Sequence, residues 1–119
     1  MSKVNLLEKF SLFDSYWDPK IVGELNNQYI KLAKLKGEFL WHHHENEDEL
    51  FMVVKGHLTI KLRDGDIELN EGEFYIIPKG IEHMPKAENE AYVLMFEPKS
   101  TVNTGSSDSE KTINNLEKI

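Results

Sequence analysis

The sequence contains no cysteine. A disulfide-stabilised scaffold, a thiolate zinc site, an iron–sulfur cluster and a cysteine nucleophile are therefore excluded. No apolar run approaches the roughly 18 residues that a membrane-spanning helix needs, and residues 1–10 lack the apolar stretch of a secretion signal. We therefore expect a soluble, cytoplasmic protein with no membrane partner.

Positive charge is also scarce. The 119 residues include 14 lysines and arginines against 21 acidic residues, which gives a net charge of −7, and Arg63 is the single arginine. Nucleic-acid-binding proteins usually carry a basic stripe, and planar phosphate recognition favours arginine. The composition therefore argues against a nucleic-acid partner. It also disfavours phosphorylated sugars as ligands, although Lys31 or Arg63 can still serve such a ligand.

The length favours a single domain, and its first 27 residues carry a helical pattern. Four apolar residues are spaced four, three and four apart: Leu6, Phe10, Phe13 and Trp17. This spacing predicts one face of a helix over residues 6–17, which Pro19 ends. We expect this segment, residues 1–27, to pack over a sheet.

From residue 28 to residue 98 the pattern changes to short segments rich in β-branched and aromatic residues. The seven segments are residues 29–36, 37–44, 49–56, 57–64, 66–72, 73–80 and 91–98. Strands at this spacing, with turn signals such as Asp64-Gly65 between them, favour a β-sandwich or barrel. Residues 99–119 are rich in serine, threonine and asparagine, which predicts a C-terminal arm or a flexible tail.

Three histidines are closely followed by four acidic residues in the stretch WHHHENEDE. Residues two apart on a strand point the same way, so His42 and His44 face one side and His43 the other. A turn through residues 45–48 would bring Glu49 back beside the histidine pair. Two imidazoles and one carboxylate suit one divalent metal ion such as zinc, iron, manganese, nickel or cobalt.

A fourth candidate ligand follows a tight turn. His83 comes just after Pro78 and Gly80, which fix the turn and can aim the next strand at the interior of the domain. We therefore predict a metal site that combines His83 with the two histidines and the glutamate described above. Three histidines and one glutamate leave one or two positions of an octahedral metal open to water and substrate.

These residues resemble the two motifs of the cupin superfamily. The first family motif, G-x5-H-x-H-x3–4-E-x6-G, corresponds here to His42, His44, Glu49 and Gly56. The second, G-x5-P-x-G-x2-H-x3-N, corresponds to Gly72, Pro78, Gly80 and His83. Eight fixed positions therefore match at the required spacing, and the resemblance covers about residues 28–98. With Trp41 beside the first motif, the chain looks like the small single-domain, conserved-barrel cupins.

The resemblance implies an all-β fold, a cupin-type jelly-roll β-barrel, here with a short N-terminal helix and one divalent metal in the mouth of the barrel. Cupins include dioxygenases, isomerases, epimerases and decarboxylases. The resemblance therefore implies a metal-dependent enzyme acting on a small organic acid, carbonyl compound or sugar, and it does not select the reaction. A non-catalytic module that binds a small molecule at the metal site is the alternative, and a structural or storage role is a third. Tyr75 and Glu82, near the second motif, are candidates for proton transfer.

Two positions depart from the family pattern. Four residues rather than five separate Gly37 from the first histidine of the motif, and Ala87 stands where the family has its final asparagine. The first departure opens a rival register. In that register His43, Glu45 and Glu49 would be the ligands, with an acid in place of the second histidine.

Strand alternation also predicts the lining of the cavity and a covered outer face. Phe51 and Val53 share the face of Glu49. Inward candidates on other strands are Tyr75, Ile77 and Met95. The opposite face of the same strand is also apolar: Leu50, Met52 and Val54. Because such a face is normally covered, we predict a homodimer.

Overall fold

The computed structural model describes residues 2–107 and 109–119. The elements in these residues are α1 (Leu6–Phe10), β1 (Lys20–Leu25), β2 (Gln28–Glu38), β3 (Glu49–Lys55), β4 (Leu58–Leu62), β5 (Gly65–Leu69), β6 (Phe74–Ile77) and β7 (His83–Pro98). All pairings between these strands are antiparallel. The predicted all-β class with a short N-terminal helix is therefore confirmed.

The long strand β7 joins the two halves of a β-barrel. One half has the strand order β1-β2-β7-β3-β6, and the β4–β5 hairpin attaches to β7 through β4. β4 pairs with residues 83–86, whereas β3 pairs with residues 92–96. The inner faces of both halves enclose one hydrophobic core, formed by Ala33, Leu35, Phe51, Val53, Leu58, Ile60, Leu69, Ile77, Ala87, Ala91, Val93 and Met95.

Alternation along the strands gives the inner face that the sequence predicts. On β3, Glu49, Phe51 and Val53 are buried, while the alternate residues are half-buried on the outer face. The predicted inward residues of other strands also contact this core: Tyr75, Ile77 and Met95. A shift of one residue in the strand pairing would turn these side chains to the outer face. Their inward position therefore shows that β3 and its neighbours have the predicted register.

The N-terminal helix is shorter than its apolar spacing predicts. It ends at Phe10, whose ring is buried against Tyr92 at a centroid distance of 4.7 Å. Beyond it the chain contacts the barrel in non-helical form. The Trp17 N–H donates to the carbonyl oxygen of Lys34 at 2.9 Å, and Trp17 has a φ of 57°. The apolar side chains still cover the sheet. Because the helix propensity of this segment is weak, its contacts with the barrel determine its backbone conformation.

Two strand assignments made from the sequence are wrong. Residues 20–25, expected only to pack over a sheet, form β1 beside β2. Conversely, β2 ends at Glu38, so residues 39–44 do not continue a strand. In that stretch His42 makes a single isolated bridge with His83. A segment forms a strand only where a neighbouring strand offers a continuous row of backbone hydrogen bonds, and the sequence of one segment does not reveal its neighbour.

The C-terminal residues return to the barrel and form an arm. The Ile21 N–H donates to the carbonyl oxygen of Glu117 at 2.9 Å, and the Ile119 N–H donates back to Ile21 at 3.0 Å. Thr101 and Thr104 are buried. The arm therefore runs beside β1 and covers part of the barrel. Among the described residues, no helix is long and apolar enough to cross a membrane.

Candidate metal centre

Four polar side chains from three parts of the chain meet inside the barrel. His42 and His44 lie on the loop between β2 and β3, Glu49 begins β3, and His83 begins β7. One ligand atom from each lies within 4.8 Å of the others, and all four residues are buried. Two backbone hydrogen bonds between His42 and His83, of 3.0 and 2.9 Å, join the loop to β7. This bridge brings the two predicted motifs together.

Two of the histidines are oriented by backbone carbonyl groups. The Nδ1 atom of His42 lies 2.9 Å from the carbonyl oxygen of Leu40, and Nδ1 of His83 lies 2.9 Å from that of Ile81. A carbonyl oxygen only accepts, so Nδ1 of each ring carries the proton. In the neutral form of either ring, Nε2 then keeps the lone pair that can bind a metal.

Several ligand atoms in the cluster are buried without a hydrogen-bond partner. The Oε1 atom of Glu49 lies 3.5 Å from Nε2 of His44 and 3.4 Å from Nε2 of His83, which is longer than a good hydrogen bond. None of these three atoms has a hydrogen-bond partner among the described residues. Because buried polar groups are normally satisfied, convergent unpaired nitrogen and carboxylate atoms fit a divalent metal ion.

Electrostatics holds two members of the cluster, His42 and Glu49, in the protonation state that a metal requires. Burial, followed by repulsion from His83, lowers the pKa of His42 to about 4. Burial alone would raise the pKa of Glu49, but the neighbouring His44 and His83 outweigh it and hold that pKa well below its usual value. His42 is therefore neutral and Glu49 ionised at neutral pH, as metal binding demands.

His43 lies outside the cluster, on the other side of the loop. Its Nε2 atom is 3.2 Å from Oε1 of Glu45, and its Nδ1 atom is 3.0 Å from Oγ of Ser106. The structure therefore brings only Glu49 of the rival register into the cluster. His57 is exposed and pairs with Glu68 at 3.1 Å.

The C-terminal arm supports the loop that carries the histidines. The Ser106 N–H donates to the carbonyl oxygen of His43 at 2.9 Å. Gly105 has a φ of +53°, and a Cβ there would overlap the carbonyl oxygen of His43 and approach Nδ1 of His44 to 3.1 Å. Glycine is therefore needed where the arm crosses His44. Sequence reasoning did not find this contact.

The cluster borders a narrow cavity. Its volume is about 40 Å³, which is room for only a few water molecules at about 10–15 Å³ each. It is lined by Trp17, Pro19, Lys31, Ala33, Leu35, Phe39, His42, Glu49, Phe51, Pro85, Met95, Glu97 and Asn103. Trp17 and Phe39 stack in its wall at a centroid distance of 4.9 Å. Most of the lining is apolar, and of the residues predicted to form it Phe51 and Met95 do so, whereas Val53, Tyr75 and Ile77 are not among the described lining residues.

A charged pair in this cavity was missed by the sequence reasoning. Nζ of Lys31 lies 2.9 Å from Oε1 of Glu97, and both side chains are 3% exposed. Burial and the neighbouring Glu49 raise the pKa of Glu97 well above its usual value. Lys31 and Lys34 both occupy the apolar strand β2, so the sequence alone does not show which lysine points inward.

The two residues predicted for proton transfer lie away from this cavity. Glu82 is exposed and pairs with Arg63 at 3.4 Å. Tyr75 is half-buried beside the hydrophobic core. Neither is among the described residues that line the cavity. Any proton transfer beside the cluster therefore falls to other groups.

The barrel and its buried histidine–glutamate cluster define a cupin-type protein. The sequence profile of the cupin domain matches residues 29–97 of this chain. That span covers more than half of the sequence and contains both motifs. The chain belongs to the cupin-domain family.

Individual relatives agree with this assignment. The crystal structure of a cupin-2 domain protein from Shewanella frigidimarina is 46% identical, with a TM-score of 0.80, and the match covers 81% of this chain and 94% of that one. Uncharacterized protein YdbB of Bacillus subtilis is 37% identical over 67 residues, which are 56% of this chain and 59% of YdbB. Acireductone dioxygenase of Bacillus subtilis is 34% identical over 67 residues, covering 52% of this chain and 38% of the enzyme. The match thus spans less than two thirds of either curated relative.

Proposed function

We propose that this protein is a mononuclear metal-dependent enzyme that acts on a small organic acid, carbonyl compound or sugar. The proposed ligands are His42, His44, Glu49 and His83. The observation that carries the proposal is their convergence within 4.8 Å, with unpaired ligand atoms in a buried site. The similarity to acireductone dioxygenase supports a dioxygenase-type reaction.

The residues of the chain supply a preorganised site. Leu40 and Ile81 hold the Nδ1 protons of two histidines, so that each presents Nε2 to the cluster. Glu49 contributes a negative charge, and the stacked Trp17 and Phe39 rings form an apolar part of the cavity wall. A bound divalent ion of iron, manganese, zinc, nickel or cobalt would polarise a substrate oxygen or, in the case of iron, react with dioxygen.

The alternative is a non-catalytic module that binds a small molecule at the same metal site. One observation favours it. Neither Tyr75 nor Glu82 lines the cavity, so the described lining residues contain no acid–base group beyond the proposed ligands and the Lys31–Glu97 pair. Binding without turnover would then be the expected behaviour.

The ligand set is tested by metal per chain, measured by mass spectrometry on alanine variants that remain folded by circular dichroism. His42→Ala, His44→Ala, Glu49→Ala and His83→Ala each remove one ligand atom and should lose metal. His43→Ala is the matched control, because its ring lies outside the cluster, and it should keep the metal. Full occupancy in both His42→Ala and His44→Ala, with loss in His43→Ala, would establish the rival register instead.

Oxygen consumption separates the enzyme from the module. The metal-loaded protein is tested with a panel of 1,3-diketones, keto acids and catechols. Turnover that a chelator abolishes supports the enzyme, whereas tight binding without turnover supports the module. A protein that neither loads metal nor binds any member of the panel would fit the structural role.

We also propose that two copies associate through the outer face of β3 and β6. β6 is the last strand in its half of the barrel, and its Phe74 and Ile76 are 58% and 49% exposed. Leu50, Ile76 and Phe96 line one groove on this face, which a second copy would cover. Light scattering at tens of micromolar should give a dimer mass, and Ile76→Lys should give a monomer. Leu7→Lys, on the exposed side of α1, is the control; a monomeric parent protein would refute the association.

A further inference from the structure

A buried ion pair lies in the wall of the metal-site cavity. Lys31 and Glu97 are 2% and 3% exposed and meet at 2.9 Å. Their neighbours on the inner faces of β2 and β7 belong to the hydrophobic core. The pair lines the same cavity as His42 and Glu49. A ligand in this cavity therefore meets the pair and the metal cluster together.

The protein does not complete the hydrogen bonding of this pair. Among the described residues, Oε2 of a charged Glu97 is buried without a partner, whereas a protonated Glu97 would donate to the neighbouring Glu49. The Lys31 ammonium has three N–H donors, and among the described residues its polar contact is the one with Glu97. A buried ion pair is stabilising only when its remaining donors and acceptors are satisfied. A pair left incomplete inside an apolar wall is better explained by a ligand than by stability.

Charge and size define the class of that ligand. With a divalent cation in the proposed site, the cavity would contain three positive charges against the carboxylate of Glu49 and at most one further negative charge on Glu97, whose pKa is raised. A desolvated cavity with excess positive charge favours an anion, and a carboxylate accepts short charge-assisted hydrogen bonds from a lysine. The narrow cavity, of about 40 Å³, limits the ligand to a short molecule.

We propose that Lys31, held by Glu97, binds the carboxylate of a short 2-oxo or 2-hydroxy acid whose second oxygen lies toward the metal centre. The inference rests on the proposed metal site and adds the substrate class to it. Lys31 then determines specificity, and Glu97 is a positioning residue that keeps the ammonium group at the cavity wall.

Matched pairs of acid and amide test this assignment. Calorimetry on the metal-loaded protein compares pyruvate with pyruvamide and glycolate with glycolamide, because each pair differs only in the charge of one end. The parent protein should bind each acid at least about 10-fold more tightly than its amide. Lys31→Met should reduce this ratio about 10-fold or more. Lys34→Met is the matched control, because Lys34 lies on the outer face of the same strand and donates to the carbonyl oxygen of Phe13.

Lys31→Met leaves Glu97 buried without its partner, which can prevent folding, so a second variant is needed. The double variant Lys31→Met, Glu97→Gln removes both charges and should show the same loss of acid preference. Metal per chain is measured for every protein. Absence of metal from the parent protein refutes the proposed function and the inference with it. Two outcomes with full metal loading refute the inference alone. One is an unchanged ratio of acid to amide affinity in both variants. The other is no acid binding by the parent protein at 10 mM, roughly the weakest affinity that calorimetry resolves.

Discussion

The inner face of the barrel has an apolar region and a polar region built on the same strands. On β3 the buried Glu49 is followed two residues later by the buried Phe51. On β7 the polar residues His83 and Glu97 lie at the two ends, and the inward residues between them belong to the hydrophobic core. Both regions are buried on β3 and β7, but His42 and His44 of the loop between β2 and β3 complete the polar region, and the side-chain chemistry of the two regions differs.

The two regions differ in how their buried side chains contribute to the stability of the fold. Residues of the apolar region such as Val53 and Ile60 are completely buried, and their burial stabilises the fold. The polar region contains buried nitrogen and oxygen atoms without partners, and each such group costs about 1–3 kcal/mol. Under the proposed function, a bound metal ion would satisfy these atoms and offset this cost.

The comparison is tested most strongly by truncating one residue from each region in chelator-treated protein. Ile60→Ala should lower the free energy of unfolding by about 2–5 kcal/mol, because it leaves a cavity in the core. His44→Ala should change it by less than about 1 kcal/mol, because it also removes an unpaired buried imidazole. Urea denaturation measures both values. Equal losses in the two variants would show that the polar region contributes to stability as the core does.

A smaller effect is expected where the arm supports the polar region. Gly105→Ala would place a Cβ against the carbonyl oxygen of His43 and the ring of His44. The loop must then shift, and metal affinity should fall about 10–100-fold, as for other residues that orient ligands. Competition with a chromophoric chelator measures the affinity.

The matched control for this variant is Gly72→Ala. Gly72 has a φ of +84°, and a Cβ there would have no atom within 4 Å. It therefore carries a similar backbone strain without the contact with the histidine loop. Metal affinities that fall equally in the two variants would assign the effect to strain and not to the arm.

The smallest effect concerns pH. Burial lowers the pKa of His42 to about 4 from a reference value of 6.5, so the unfolded chain binds this proton before the folded one. The contribution of neutral His42 to stability is therefore present above pH 6.5 and is lost as the pH falls toward 4. Between pH 6.5 and 5.5, metal-free parent protein should lose about 1 kcal/mol more than His42→Asn. Denaturation curves at the two pH values measure the difference, and parallel pH dependence would contradict the shifted pKa.

Much of the fold could be predicted because strand alternation is a local property. The inner face of β3 follows from Glu49, Phe51 and Val53, which lie two residues apart and meet one core. The prediction failed for residues 39–44, where β-forming residues lack a ladder, and for β1, whose partner is β2. Strand pairing depends on residues far apart in the sequence, and a single segment does not specify it.

The proximity of the four candidate metal ligands was also predicted. The spacing of the two motifs indicated four residues, and the structure brings those four within reach of one ion. The rival register stayed open in the sequence because His43 and Glu45 also have a metal-ligand spacing. Two backbone hydrogen bonds between His42 and His83 decide which histidines face the interior.

The sequence by itself determined the strand-rich barrel, the residue types of the cluster and their spacing, because these follow from side-chain chemistry and a repeat of two residues. The tertiary structure alone decided that Lys31 faces the cavity while Lys34 packs outside, and that Gly105 lies against His44. Which of two lysines enters a barrel depends on the register between strands. The contact with the arm joins residues about sixty positions apart, and only the folded chain brings them together.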